Sequence, residues 1–391
     1  MLQQEQIKRV RETIGITQNE LAKEVGVSRV YLSQIERGDK ACSEDLLSKI
    51  DIALFNLNTN TRLDVLFDYV RVRFPFPDKE RSIIFEEVLR LKEKYFTLEN
   101  HSFFGYARTY SFGNLRIFTS DDEERGILIE FSGKSCREFE YFLKAQKRSW
   151  EDFFYRCLDF KGVFKRIDVA IDDKYYILDI PFLIEKAENE EIISVFRNFR
   201  IYKSGGLNKN GSDKNVGNTL YIGSAKSEVQ FCIYEKDYEQ MVKMGYSLDE
   251  TETKNRFEIR LKNERAETFI NHFLNYSDLN KVVFSIINRY IKVVDNNGSS
   301  DKKYFPTNYR WECFLNDVKT SLKLTTEPKE YDIKDTYNWL FRQVAPTLSM
   351  VSELDKVFDT ENVSKMLNTR LGDRQEKIIS RLLSDIEDVI L

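Results

Sequence analysis

Histidine, cysteine and long apolar runs are scarce in this sequence, and each scarcity excludes a class of protein. The chain has only two histidines, His101 and His272, so any mechanism that needs paired imidazole ligands close in sequence is excluded. The five cysteines are scattered and never in CxxC spacing, which argues against a disulfide framework or a zinc site. No run approaches the roughly 18 apolar residues of a membrane span, and the first residues lack the apolar segment of a secretory signal. We therefore expect a cytoplasmic protein without membrane insertion, whose metal chemistry would rest on carboxylates.

Glycine and proline are also few, 16 and 6 in 391 residues, and charge of neither sign dominates. With 41% apolar and 32% charged residues, the composition is typical of a globular protein, and the length allows two or three domains. Sixty Lys and Arg against 64 Asp and Glu give a net charge of −4. This balance does not exclude a nucleic-acid partner, because charges of opposite sign can lie on different faces of the molecule.

The N-terminal segment predicts a bundle of short helices. Thr17 and Glu20 have the spacing of a capping box, in which the Thr17 hydroxyl accepts from the Glu20 amide and the Glu20 carboxylate accepts from the Thr17 amide. The helix that follows ends at Gly26, which suits a turn with positive φ, and Ser28 caps the next helix. Two further helices, over residues 5–14 and 43–55, would complete the bundle.

Helix, glycine turn and helix is the helix-turn-helix arrangement, and residues 1–57 resemble the Cro-repressor type of DNA-binding domain. The resemblance implies that the helix after Ser28 enters the major groove of double-stranded DNA. The segment holds 8 Lys and Arg against 9 Asp and Glu, so we expect it to bind weakly alone and to depend on a partner copy or another domain. A helical bundle with an ordinary solvated face is the alternative. The candidate DNA contacts are Gln18 to a phosphate, Arg29, Ser33 and Gln34 to base edges, and the capping Ser28.

The rest of the chain predicts an α+β fold. Runs with the two-residue period of β-strands alternate with helical runs, which indicates a central, mainly antiparallel sheet with flanking helices and a helical C-terminal region. We expect a catalytic domain over residues 62–293 and a helical region over residues 304–391, with a linker, DNNGSSDKK, between them. Single helices are predicted near residues 79–95 and over residues 136–158.

Three predicted strands alternate apolar and polar residues, so each of them should bury one face. They are FKRIDVAID at 164–172, EVQFCIYEK at 228–236 and NRFEIRLK at 255–262. If these strands are part of one sheet with helices on its apolar side, their other faces form a common polar surface. That surface would carry Arg166, Asp168, Asp172, Tyr234, Lys236, Arg256, Glu258 and Arg260.

Carboxylates, cations and a tyrosine on one surface suit metal-assisted phosphoryl transfer, in which the tyrosine oxygen attacks phosphorus. Tyrosine is a weak nucleophile at its usual pKa near 10, so a cation must favour the phenolate or a base must take the proton. Lys236, two residues after Tyr234, either orients the phosphate or shuttles the proton. We expect Asp168 and Glu258 to hold Mg²⁺ or Mn²⁺. Asp172 should not bind the same ion directly, because it lies roughly 13 Å along the strand from Asp168.

Asp68 is a further ligand candidate. In LFDYVRV it falls on the same predicted face as Leu66, Val70 and Val72, where a charge is costly unless it is paired or bound to a metal. Each candidate acid has an ordinary alternative, an ion pair with one of the many Lys and Arg side chains. For Tyr234 the alternative is simple packing.

Three segments, together and in this order, resemble the catalytic domain of the rolling-circle replication initiation factors of small plasmids and of the related MOBT relaxases of integrative and conjugative elements. They are RIDVAID at 166–172, GNTLYIGSAKSEVQFCIYEKDYE at 217–239 and RFEIRLK at 256–262. The helix-turn-helix ahead of them is more similar to the relaxase branch than to the plasmid branch. The resemblance implies site- and strand-specific DNA nicking, with Tyr234 left joined to the 5′ phosphate and with Asp168 and Glu258 on the metal-binding strands.

Two positions depart from the family pattern. Members often carry Arg after the Gly-Ser of YIGS and Arg two residues before the tyrosine, where this chain has Ala225 and Cys232. Lys226 is the candidate substitute for the first arginine as a phosphate contact. Tyr221 and Tyr238 are rival nucleophiles, predicted to pack within a strand and to lie past a strand end, respectively.

The partners implied are double-stranded origin DNA, single-stranded DNA at the nick, a helicase and a coupling protein. The loop 204–217, with Lys203, Lys209 and Lys214, either wraps the single strand or is a plain hairpin tip. The C-terminal helices favour a homodimer. Three other functions stay open: a rolling-circle plasmid initiator with the same chemistry, a transcriptional regulator without catalysis, and a nuclease that uses water and forms no covalent adduct.

Overall fold

The computed structural model describes residues 4–59, 63–99, 101–206, 214–315 and 340–371, with isolated positions at 320, 322, 324, 337, 376 and 379. Side chains are not described for residues 204–206, 214–216 and 342–343. Residues 1–326 form one compact unit and residues 327–391 form a second.

Within residues 4–59, four α-helices form the N-terminal bundle: α1 (Ile7–Thr13), α2 (Gln18–Val25), α3 (Arg29–Glu36) and α4 (Glu44–Leu57). The predicted capping box is present, because Thr17 Oγ1 accepts from Glu20 N at 3.2 Å and Thr17 N donates to Glu20 Oε2 at 2.8 Å. Gly26 ends α2 with φ of 76°. Ser28 and Ser43 cap α3 and α4 through their side chains. The helix-turn-helix expected from local patterns is therefore confirmed.

A buried carboxylate that the sequence patterns did not reveal joins three of these helices. Glu36 at the end of α3 accepts from Arg11 Nε of α1 at 2.7 Å. The same carboxylate accepts from Gln18 Nε2 of α2 at 2.7 Å. Arg11 and Glu36 are almost fully buried. Their ion pair therefore fixes the position of α1 relative to the end of α3.

The described strands are β1 (Leu63–Phe74), β2 (Thr97–Glu99), β3 (Arg108–Phe112), β4 (Leu115–Thr119), β5 (Ile127–Ser132), β6 (Val163–Asp173), β7 (Ile192–Ser194), β8 (Phe199–Gly206), β9 (Lys214–Ile222), β10 (Val229–Glu235), β11 (Asn255–Lys262) and β12 (Ile291–Val293). Ten of them form one sheet in the order β2-β3-β4-β5-β1-β6-β11-β10-β9-β8, and β12 pairs with β7 separately. Each pairing within the large sheet is antiparallel. The predicted antiparallel sheet is confirmed.

Helices cover one face of this sheet. In the first unit they are α5 (Lys134–Ala145), α6 (Trp150–Asp159), α7 (Ile180–Glu188), α9 (Glu264–Tyr276), α10 (Leu279–Tyr290) and α11 (Tyr309–Phe314), whereas α8 (Lys236–Met244) lies at the edge of the opposite face. Phe67 of β1 lies in the shared core, with its ring 5.0 Å from that of Phe154 on α6 and 6.3 Å from that of Phe269 on α9. Phe314 of α11 stacks on Phe257 of β11 at 5.7 Å, so residues beyond 304 also contribute to this core. The α+β class is confirmed.

The second unit, described over residues 340–371, contains α12 (Ala345–Phe358) and α13 (Asn362–Leu367). Neither helix buries a residue fully. Among the described residues of the whole chain, no helix has both the length and the apolar character needed to cross a membrane.

Two helix predictions were wrong in the same way. In each segment one long helix was expected, and the structure contains several shorter elements instead. The segment 136–158 divides into α5 and α6, and α6 starts with its own capping box, in which Ser149 N donates to Asp152 Oδ2 at 2.8 Å. The S-W-E-D sequence at 149–152 was the missed signal. The segment 79–95 instead contains short 3₁₀ turns on either side of a π-helical stretch, Ile83–Leu89, which buries four apolar side chains in the core.

A β-bulge in β1 changes the face on which Asp68 lies. Phe67 pairs with Val169 and Tyr69 with Asp168, which leaves Asp68 as the extra residue between them. The bulge allows Phe67 and Val70, three positions apart, both to face the core. The prediction that Asp68 shares a face with Val70 was therefore wrong, and Asp68 faces the side of the sheet that the helices leave open.

Candidate active site

The strand order brings the three predicted polar strands together as neighbours, β6-β11-β10. Arg256 in β11 lies opposite Asp172 on one side and opposite Tyr234 on the other. Glu258 lies opposite Ala170, two residues from Asp168, so Glu258 and Asp168 are diagonal neighbours on one face. The open face is thus the common polar surface that the alternation predicts.

A cleft of about 840 Å³ lies over this part of the open face. It reaches from the bulge in β1 to the start of α8, so that side chains distant in sequence share one cavity. Its charged and phenolic lining includes Asp68, Arg166, Asp168, Asp172, Tyr234, Lys236, Arg256, Glu258 and Arg260.

Tyr234 is held between an acid and a base. Its Oη donates to Glu258 Oε1 at 2.8 Å and accepts from Lys236 Nζ at 3.3 Å. Burial, together with the nearby Glu258 charge, raises the pKa of Tyr234 far above its ordinary value, while the charge of Arg256 opposes that shift. The side chain is therefore a neutral phenol at neutral pH, and the Glu258 carboxylate is the group positioned to take its proton.

Asp168 forms a two-pronged pair with Arg166. Arg166 Nη2 donates to Asp168 Oδ2 at 2.6 Å, and Arg166 Nε donates to Oδ1 at 2.9 Å. Burial raises the pKa of Asp168 to about 6, although the hydrogen bonds and charge of Arg166 act in the opposite direction. The carboxylate on the floor of the cleft is therefore close to its titration range near neutral pH.

Two arginines that sequence reasoning did not assign to the site hold the other acids. Arg256 Nε donates to Asp172 Oδ1 at 2.6 Å, and its Nη1 donates to Asp68 Oδ1 at 2.9 Å. Arg260 Nη2 donates to Glu258 Oε2 at 2.7 Å. The alternation already put both arginines on the polar face, but their roles depend on cross-strand register, which the sequence does not provide.

The candidate metal ligands share the cleft, but they do not form a ready cluster. In the part of the chain that the structure describes, no group of three or more His, Cys, Asp or Glu side chains could hold a metal ion. Mg²⁺ commonly uses one or two carboxylates and completes its shell with water and substrate phosphate. Asp168 and Glu258 are diagonal neighbours with oxygen donors, which suits that mode. All four candidate acids are nevertheless paired with arginines: Asp168 with Arg166, Glu258 with Arg260, and Asp68 and Asp172 with Arg256.

Three other predicted side chains lie outside this arrangement or at its edge. Lys226 is exposed in the β9–β10 turn, at the opposite end of β10 from Tyr234, about 17 Å along the strand. Tyr221 lines the cleft and packs 5.5 Å from the ring of Tyr202. Tyr238 is 6% exposed within α8. It lies past the end of β10, as predicted, and does not line the cleft.

The candidate duplex-DNA contacts differ in availability. Arg29 is exposed at the first residue of α3, and Ser33 and Gln34 are half-buried along it. Ser28 Oγ accepts from Tyr31 N at 3.1 Å as the cap. Gln18 Nε2 donates one of its two hydrogens to Glu36, so a phosphate contact would use the second hydrogen. In the loop 204–217, Lys209 lies outside the described residues and only the backbone of Lys214 is described.

The helix-turn-helix bundle contacts the element that follows the tyrosine. Arg9 of α1 lies over the rings of Tyr176 and Tyr238, at 5.6 Å and 5.5 Å, and its Nη1 is 3.3 Å from Asp237 Oδ2. Asp237 and Tyr238 belong to α8, whose first residue is Lys236. The bundle and the cleft therefore lie against the same helix, a connection that no local pattern predicted.

Three family models match this chain. The replication initiation factor family matches residues 162–367, the N-terminal domain of rolling-circle replication initiation proteins matches residues 64–156, and a helix-turn-helix family matches residues 7–55. A protein of Bacillus subtilis (strain 168) named as a candidate DNA relaxase, NicK, is 38% identical over 328 residues, which cover 83% of this chain and 92% of that protein. The solved structure of a rolling-circle replication initiator protein from Geobacillus stearothermophilus is similar with a TM-score of 0.57 and 26% identity, and the match covers 68% of this chain and 100% of that one.

Proposed function

This chain belongs to the replication initiation factor family, and we propose on that basis that it is a relaxase, a site- and strand-specific enzyme that nicks and rejoins DNA. The observation that supports this most directly is the hydrogen bond between Tyr234 Oη and Glu258 Oε1, at 2.8 Å in an arginine-rich cleft. A phenol beside a base and several cations is the equipment for attack on a phosphodiester. A second candidate function, replication initiation in a rolling-circle plasmid, would use the same chemistry.

In the proposed reaction, Tyr234 Oη attacks the scissile phosphorus. The Oη–P bond forms, the bond from phosphorus to the 3′ oxygen breaks, and Glu258 accepts the phenolic proton. The leaving 3′ oxygen takes a proton from water, which yields a free 3′ hydroxyl and a 5′ phosphotyrosine. Because the phosphotyrosine is still a phosphodiester, rejoining is the reverse of the same step and requires no ATP. Lys236, with Nζ 3.3 Å from Oη, is assigned to orient a phosphate oxygen during attack.

Guanidinium groups supply the positive charge that this phosphate requires. Arg166, Arg256 and Arg260 all border the cleft, and fixed cations in a partly dehydrated site stabilise the charge of the transition state. At the position where family members often carry arginine, Cys232 is buried, and burial raises the pKa of its thiol to about 12. Arg260, whose charge partly counters that shift, is our candidate for the missing family arginine.

We propose Mg²⁺ or Mn²⁺ as the metal, held by Asp168 and Glu258. A bound ion would polarise a phosphate oxygen as a Lewis acid. Both proposed ligands are paired with an arginine, Asp168 with Arg166 and Glu258 with Arg260. Binding of the ion would compete with these pairs, and a guanidinium released in this way has a phosphate oxygen as its natural new partner.

We propose that the helix-turn-helix bundle recognises the DNA site at which the enzyme acts. Arg29 and the exposed side of α3 would read double-stranded origin DNA, while the cleft takes the single strand at the nick. We also retain as proposals a homodimer, a helicase, a coupling protein and a cytoplasmic location. Among the candidate purposes, conjugative transfer is favoured over plasmid replication by the relative at 38% identity, whose name is that of a relaxase.

The deciding experiment uses a labelled single-stranded oligonucleotide from the origin with Mg²⁺ or Mn²⁺. We expect a covalent protein–DNA band that Tyr234→Phe abolishes. Tyr221→Phe is the matched control, because it removes another phenol that lines the same cleft and should keep the band. Cleavage without an adduct would indicate a nuclease that uses water. A wild-type protein that binds origin duplex but neither cleaves nor forms an adduct would indicate a regulator, and either result would overturn the proposal.

A further inference from the structure

Arginines and aromatic rings alternate across the open face of the sheet, well beyond the cleft. Arg260 lies 5.7 Å above the ring of Tyr221 on one side of the site. On the other side, Arg166 lies 4.2 Å above the ring of Tyr69, and the row continues toward β4. Because these residues come from different strands and their register shifts by steps along the strands, the row crosses the sheet diagonally.

One end of the row is Tyr202 in the edge strand β8. Tyr202 lies opposite Thr219, and Thr219 lies opposite Tyr234, so Tyr202 shares the open face two strands from the nucleophile. That separation corresponds to about 10 Å. Its ring is 52% exposed and is held edge-on against Tyr221 at 5.5 Å. The adjacent Arg200 is exposed and forms no ion pair with any residue that the structure describes.

The other end is a pair of phenylalanines in the loop before β3. Phe103 and Phe104 are 53% and 50% exposed. Phe104 adopts φ of 56°, a costly conformation for a bulky residue. Arg71 covers its ring at 3.9 Å, and Arg125 Nη1 donates to its carbonyl oxygen at 3.2 Å. The loop is thus held so that two large apolar rings stay at the surface.

The charge beside these rings is positive and available. Arg116 of β4 lies 5.7 Å above the ring of Phe103 and forms no ion pair within the described residues. Phe104 packs edge-on against Phe118 of the same strand at 5.7 Å, which fixes the loop over β4. Since β4 is five strands from β10 in the sheet, this end lies about 24 Å from the nucleophile measured across the strands.

Exposed rings flanked by unpaired arginines have the chemistry that recognises single-stranded nucleic acid, because every base offers a face for stacking and every phosphate a charge. We propose that the open face is a track for single-stranded DNA that runs across the strands, with unpaired bases stacked on Tyr202 at one end and on Phe103 and Phe104 at the other. This inference rests on the proposed function, since the nick at Tyr234 would lie between the two ends.

The binding test uses fluorescently labelled oligo(dT) of about 16 nucleotides, the upper range of a single-strand binding site, and measures Kd by anisotropy at fixed salt. Tyr202→Ala should raise Kd about tenfold, the effect of losing one stacked base, and the double variant Phe103→Ala with Phe104→Ala should raise it about a hundredfold, because it removes two rings. Tyr202→Phe should restore the affinity, because stacking needs the ring and not the hydroxyl. Tyr141→Ala is the matched control, since Tyr141 is 76% exposed on α5, in the helical layer.

A salt titration tests the charged part of the track separately. Arg116→Ala should reduce the slope of log Kd against log salt by about 0.7, the value for one phosphate contact on a single strand. The two stacking variants should leave that slope unchanged. A slope that is the same in Arg116→Ala and wild type would remove Arg116 from the track.

The track is wrong if the stacking variants bind within about twofold of wild type, or if Tyr141→Ala weakens binding as much as they do. Equal melting temperatures for all variants, expected for side chains that are half exposed, exclude unfolding as the cause of lost affinity. Failure of the track is distinguishable from failure of the proposed function, because a wild-type covalent adduct with origin DNA tests the function alone. If the wild-type protein forms the adduct and the stacking variants bind oligo(dT) with wild-type affinity, the relaxase function stands and the proposed track is wrong.

Discussion

The N-terminal bundle and the catalytic cleft differ in how far apart in sequence their decisive contacts lie. The capping box of α2 joins residues 3 positions apart. In the cleft, the bond between Arg256 and Asp68 spans 188 positions and the bond between Arg256 and Asp172 spans 84. Local chemistry therefore specifies the helix ends of the bundle, although the Arg11–Glu36 pair that joins its helices spans 25 positions. The cleft exists only after five separate strands have found their register. The helices of the bundle can therefore be predicted from the sequence, whereas the contacts of the cleft depend on the tertiary structure.

The largest effect is expected from a variant that removes the proposed base from the cleft and leaves the bundle intact. Glu258→Gln keeps the shape of the side chain but cannot accept the proton of Tyr234, so adduct formation should slow by about 10²- to 10⁴-fold. The measurement is the single-turnover rate of adduct formation on a single-stranded origin oligonucleotide. Duplex origin binding in a mobility-shift assay should be unchanged, and an adduct formed at the wild-type rate would exclude Glu258 as the base.

The same contrast explains which parts of the site were predictable. Period-two alternation located Asp168, Tyr234 and Glu258 on one face, because side-chain direction in a strand is a local property. It failed at Asp68, since a β-bulge depends on which neighbours need burial, and the burial of both Phe67 and Val70 is a tertiary demand.

Pairing was harder to predict than position. The patterns named the acids as metal ligands, and the structure pairs each of them with an arginine. Which arginine meets which acid follows from register between strands, and register is set by the packing of the whole sheet. For the same reason the contact of Arg9 with α8 had no local signal.

The next largest effect should come from breaking that long-range assembly. Arg256→Met leaves Asp68 and Asp172 in the cleft without their partner, and removal of one member of a buried ion pair typically costs about 3–5 kcal/mol in the free energy of unfolding. Urea denaturation followed by far-UV circular dichroism measures it. Arg29→Met, an exposed change in the bundle, is the control and should stay within about 0.5 kcal/mol of wild type. Equal free energies of unfolding for the two variants would show that the ion pairs of Arg256 with Asp68 and Asp172 do not stabilise the cleft.

A pH series should show a smaller, graded effect in the cleft. Because the pKa of Asp168 is raised to about 6, the carboxylate that pairs with Arg166 is lost as pH falls through 6. Protonation should compete with binding of the metal ion at this carboxylate, so adduct formation should decline as pH falls, with a midpoint that moves to lower pH as the Mg²⁺ concentration rises. The free energy of unfolding should change in the opposite direction. Because the pKa of Asp168 in the folded protein lies above the unfolded value of 3.8, the protonated side chain stabilises the folded protein at low pH. This contribution is lost as pH rises toward 6. Asp168→Asn should remove this contribution to the pH dependence of stability, and an unchanged profile in that variant would assign the titration to another group.

The smallest effect belongs to the bundle, where a single local contact can be removed. Thr17→Ala deletes the acceptor for the Glu20 amide and should lower the local stability of α2 by about 1 kcal/mol, while Thr17→Ser should retain it. Hydrogen exchange of the α2 amides measures this change without requiring the whole chain to unfold. Adduct formation on a single-stranded oligonucleotide should be unaffected, because the cleft is built from other strands. If Thr17→Ala slows the adduct as well, the two regions are not independent, and the contact of Arg9 with Asp237 and Tyr238 at the start of α8 is the physical route by which a loosened bundle would reach Tyr234.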